Sequence, residues 1–115
     1  MYHPDADDAV ERKLDRAAAI FEEWRDVPLR EREQLLVNAG EVLRENKQRY
    51  AELMTREMGK PITQAVAEVE KCACACDHYA EYAHKYLSDE HHPSPPGTEV
   101  KTVHDPLGSV LAVML

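Results

Sequence analysis

The stretch Glu57-Met58-Gly59-Lys60-Pro61, with the run that follows it from Ile62 to about Leu87, constrains this chain more than any other feature. Gly59 is the residue most tolerant of the left-handed conformation that closes a helix, and Lys60 adds a cation near the preceding carbonyl ends. One helix therefore ends here. Pro61 cannot continue that helix but suits the first turn of another, because its missing N–H would have lacked an intrahelical partner. The new run places Ile62, Ala65, Val66, Val69, Ala73, Cys76, Ala80, Ala83 and Leu87 three and four residues apart, which predicts one continuous stripe that must be buried.

Upstream, Asp5, Asp7 and Asp8 are candidates for an N-cap and a dipole-matched first turn, followed at helical spacing by Val10, Leu14, Ala17, Phe21 and Trp24. A first helix is expected from about Asp5 to Arg25. Pro28 interrupts the pattern, and a second helix resumes through Arg32, Leu35, Leu36, Ala39, Val42 and Leu43 to end near Glu45. Gly40 inside it weakens the helix by about 1 kcal/mol relative to alanine, which points to close packing. Asn46 is a plausible cap before a third helix carrying Tyr50, Leu53, Met54 and Met58.

After Leu87 the composition changes. Residues 88–97 contain three prolines and one glycine and are read as a linker. Residues 98–105 alternate as a short strand with a polar face, and Pro106-Leu107-Gly108 makes a turn. Residues 109–115 then form an apolar run rich in β-branched residues, the pattern of a strand covered on both faces. No second strand of that kind occurs in the sequence, so the expectation is a truncated fold: mainly α, about four helices over 5–87, with C-terminal β-strands.

A chain of 115 residues suits a single, here partial, domain with a modest core. Its 22 acidic and 14 basic residues give a formal charge of -8, which opposes binding to phosphate backbones or anionic lipid. Neither nucleic acid nor membrane is an expected partner. The sequence has no basic segment leading into an apolar core and no apolar run near the roughly 20 residues that span a bilayer, so we expect a cytoplasmic protein.

Cys72, Cys74 and Cys76 invite a metal or nucleophile reading. On a helix, residues two apart point about 200° apart, so Cys72 and Cys76 share a face while Cys74 lies on another beside His78. Three thiolates cannot converge there, and we read them as small packing residues. His84, His91, His92 and His104 match no zinc spacing and are read as solvated, so no metal site is expected. Neither Gly-x-Gly-x-x-Gly nor Gly-x-x-x-x-Gly-Lys-Ser/Thr is present, and Gly59-Lys60 alone is a helix stop rather than a phosphate cradle.

The order Trp24-Arg25, Arg30-Glu31-Arg32, Leu35-Leu36, Arg56-Glu57-Met58-Gly59-Lys60-Pro61, Ala67-Glu68-Val69 and Asp105-Pro106-Leu107-Gly108-Ser109-Val110 resembles the N-terminal part of the aldehyde dehydrogenase superfamily, nearest its succinate-semialdehyde branch. The resemblance implies part of an α/β Rossmann-like fold, with 5–87 on the coenzyme-binding domain, 98–105 in an oligomerisation sheet and 109–115 as the first core strand. It implies an NAD(P)-dependent enzyme in which a cysteine thiolate attacks the aldehyde and hydride passes to the nicotinamide. In the family, the last strand leads into a Pro-Trp-Asn-Phe-Pro block at the coenzyme. Here the sequence reaches Leu115 first, and the coenzyme loop, oxyanion asparagine, general-base glutamate and catalytic cysteine have no matching positions. No catalytic residue is therefore assigned, and this portion alone is expected to be inactive and to hold no cofactor. Met114 matches the edge of the coenzyme site, where its backbone would make the contact. Glu57 matches a position beside a monovalent cation in some members, but its other ligands have no counterpart here, and it is read as a structural carboxylate. The implied partners are the remainder of the enzyme or further copies joined through the C-terminal strands. A non-enzymatic helical interaction module is the alternative.

Overall fold

The computed structural model describes residues 5–113. Gly59 adopts φ 70°, ψ 15° and closes the preceding helix, its N–H donating to the Thr55 carbonyl at 3.0 Å. Pro61 stands just before the next helix, and its carbonyl accepts the N–H groups of Gln64 and Ala65, both at 2.9 Å. The elements are α1 (Asp7–Trp24), α2 (Leu29–Glu45), α3 (Lys47–Met58), α4 (Ile62–Leu87), β1 (Glu90–His92) and β2 (Val100–Thr102). They fall into two units, one containing α1 and the segment from His104, the other running from Pro28 to Val103.

In the Pro28–Val103 unit, α2 and α3 both pack on α4. The predicted α4 stripe supplies that seam: Ala65, Val69 and Ala73 are buried, Val66, Cys76, Ala80 and Ala83 are half-buried, and the terminal Ile62 and Leu87 are exposed. Ala51 of α3 and Gly40 of α2 are the buried residues on the facing helices. Small side chains on all three elements bring the backbones close, so the core is thin and depends on shape more than on apolar area. At Gly40 a Cβ would stand 3.1 Å from Asp77 Oδ1, 3.3 Å from the Ala73 carbonyl oxygen and 3.4 Å from Cys76 Cβ. This is the close approach that a glycine inside a helix suggested.

Asn46 acts mainly on the helix before it. Its side-chain Nδ2 and backbone N–H both donate to the Val42 carbonyl, at 3.0 and 3.1 Å, closing α2. Its own carbonyl accepts the Tyr50 N–H at 3.1 Å to begin α3. The corner between α3 and α4 carries an ion pair between Lys60 and Glu68.

The polar, proline-containing stretch read as a linker over 88–97 holds a strand. Glu90–His92 pairs antiparallel with Val100–Thr102, with Glu90 opposite Thr102, His91 opposite Lys101 and His92 opposite Val100. Side-chain contacts stand in for a missing apolar face: Lys101 Nζ donates to Asp89 at 2.6 Å, and His92 Nε2 lies 2.8 Å from Thr102 Oγ1. The strand expected over 98–105 is thus reduced to its three central residues.

In the other unit, α1 is capped by backbone alone, the Ala6 carbonyl accepting the N–H groups of Ala9 and Val10 at 2.9 and 3.1 Å. Asp7 and Asp8 sit in the first turn, where they complement the helix dipole without making a side-chain cap. Ala17 and Phe21 of its stripe are half-buried, while Leu14 is 58% exposed. Ser109 Oγ donates to the Ala17 carbonyl at 3.3 Å. The core strand expected over 109–115 is not formed in its described part: residues 109–113 belong to no ladder. A strand is defined by backbone pairing, and the described segments that do pair, β1 and β2, pair with each other.

Candidate functional site

The residues singled out from the sequence are dispersed. Met114, the expected backbone contact at the coenzyme edge, lies outside the described residues. Glu57 is exposed in the last turn of α3. Cys72 and Cys74 are exposed, and Cys76 is half-buried where α4 meets Gly40. His78 joins an aromatic row on α4, stacked on the half-buried Tyr82 with centroids 4.8 Å apart, its Nε2 lying 3.0 Å from the hydroxyl of the exposed Tyr86. His84 is exposed near the end of α4, and His91 lies 3.3 Å from Glu99 in the hairpin segment. His104 is exposed in the other unit. Among the described residues no three His, Cys, Asp or Glu side chains are arranged to hold a metal ion, and no helix is long and apolar enough to cross a membrane.

Four charges that sequence reading did not group do come together. Arg44 on α2 donates from Nε to Glu70 Oε1 at 3.2 Å and from Nη1 to Asp77 Oδ1 at 3.3 Å, and its Nη2 also engages Asp77 Oδ2. Lys47 on α3 donates to the other oxygen of Glu70 at 2.9 Å. The signal was present in part: Glu70 and Asp77 are seven residues apart, two turns along one face of α4. What the spacing could not supply was the shared cation, Arg44, which lies 26 positions from Glu70 and 33 from Asp77.

The hydrogen bond from Lys47, then that from Arg44, holds the Glu70 carboxyl below the usual carboxylate range. Arg44 does the same to Asp77, and the two carboxylates in turn raise the guanidinium further above neutrality. Two cations and two carboxylates satisfy one another, so the cluster ties α2 and α3 to α4 and leaves no charge poised for proton transfer. Because both carboxyls titrate lower folded than unfolded, their stabilisation is complete above the ordinary carboxylate range near pH 4 and is lost as pH falls through their depressed values. Thermal melts between pH 7 and pH 3 should therefore show a steeper acid loss for the natural chain than for Arg44→Met, which keeps the aliphatic stem. Parallel curves would show that the Arg44 pairs contribute nothing to folding.

The sequence matches the aldehyde dehydrogenase family over residues 2–114, and the chain belongs to that family. Its relatives include a probable NADP+ succinate-semialdehyde dehydrogenase from Synechocystis, 43% identical over 105 residues, covering 91% of this chain and 23% of the relative. A succinate semialdehyde dehydrogenase from Escherichia coli, described as using NAD(P)+, is 42% identical over 108 residues, covering 93% of this chain and 23% of its own length. Among solved structures, the succinic semialdehyde dehydrogenase of Streptococcus pyogenes in complex with NADP+ matches with TM-score 0.78 and 31% identity, over 88% of this chain and 23% of that one. The fold is therefore a piece of the α/β aldehyde dehydrogenase architecture, seen in the described residues as four helices and one small hairpin. The chain spans less than a quarter of the length of these relatives.

Proposed function

We propose that the chain is the N-terminal portion of an NAD(P)-dependent aldehyde dehydrogenase that oxidises succinate semialdehyde to the corresponding carboxylic acid. The supporting observation is the match to succinate-semialdehyde dehydrogenases along nearly the whole chain. In this reading the portion serves as scaffold. The helices over 5–87 form the N-terminal part of the coenzyme-binding domain, the strand within 98–105 joins the oligomerisation sheet, and residues 109–115 become the first core strand once neighbouring strands supply backbone partners. The coenzyme is NAD or NADP in the complete enzyme, with the cytoplasm as its location, and none is held by this portion alone.

A continuous chimera tests this, with residues 2–114 replacing the matching segment of the Escherichia coli relative. It should fold and reduce NAD(P)+ in the presence of succinate semialdehyde, whereas the same enzyme lacking the segment should not. A soluble, folded chimera without turnover would overturn the proposal.

The alternative, a non-enzymatic module that pairs with a partner chain, draws on the exposure of Val110, Leu111 and Val113, at 83%, 88% and 80%. An apolar run with unpaired backbone is a template for association in either reading. Removing residues 107–115 should accordingly raise solubility and reduce the apparent mass in light scattering. A natural chain that is monomeric and melts sharply would contradict this expectation.

A further inference from the structure

We draw no further inference here: the strongest candidate, the open groove between α2 and α4 lined by Arg30, Glu33, Gln34, Asp77 and Glu81, is an acidic cluster in which no second observation points to a ligand.

Discussion

Replacing Gly40 with leucine should unfold the Pro28–Val103 unit or lower its melting temperature by roughly 10 °C or more, the size expected when overpacking reaches about 3 kcal/mol in a small domain. The first atom of the new side chain already meets three neighbours at 3.1 to 3.4 Å, and each resists displacement for its own reason. The Ala73 carbonyl is helix backbone, Cys76 Cβ is fixed to the same helix, and Asp77 is held by Arg44. Leucine must therefore push α2 off α4, which opens the seam of Ala65, Val69 and Ala73. Alanine is the informative control. It should recover about 1 kcal/mol of helix propensity against a contact only a few tenths of an ångström too short, so its melting temperature should stay near that of the natural chain. Circular dichroism melts of the three full-length proteins check this, and a leucine variant that melts with the natural chain would show that the two helices do not approach as closely as described.

The helices were legible because each carries its own signal. Periodicity placed α4 between Ile62 and Leu87, and Gly59 marked the end of α3 because its left-handed backbone is a requirement that glycine meets most readily. The start of α1 lies at Asp7 rather than Asp5, because the nearest aspartates serve the dipole rather than the cap, and its end lies at Trp24 with Arg25 as the C-cap. Strands carry weaker local signals. Glu90-His91-His92 is polar, lies beside prolines and has no apolar alternation, so its pairing with Val100–Thr102 is set by a partner eight or more residues away. The converse holds over the described residues 109–113, where strong β composition meets no pairing partner. In both places the decisive term is a backbone contact between distant residues, which composition does not encode. The Arg44 cluster likewise depends on residues distant in sequence, here through side-chain contacts, although the two-turn spacing of its carboxylates was visible.

The isolated 115-residue chain should oxidise no succinate semialdehyde, although it belongs to a family of aldehyde dehydrogenases. Chemistry of this kind needs a positioned thiolate, donors for the developing oxyanion and a bound nicotinamide at once, and loss of a single oxyanion donor commonly lowers turnover by about a hundredfold to a thousandfold. The available thiols are poorly placed for such a role. Cys76 is half-buried in a helix seam, while Cys72 and Cys74 lie on the surface of α4. Arg44, which reaches α4 from α2, is already shared by Glu70 and Asp77. A nucleophilic cysteine gains its reactivity from a base or cation free to favour the thiolate, and a guanidinium engaged by two carboxylates offers little of either. Coenzyme capture is equally short of groups, since the sequence encodes neither glycine-rich phosphate motif and the predicted contact is one backbone position at Met114. The measurement is NAD(P)H absorbance with succinate semialdehyde and the purified chain, alongside a heat-killed control and a variant carrying Cys72→Ser, Cys74→Ser and Cys76→Ser. All three should be indistinguishable; turnover in the natural chain that vanishes in the triple variant would place a working nucleophile in α4 and overturn the scaffold reading.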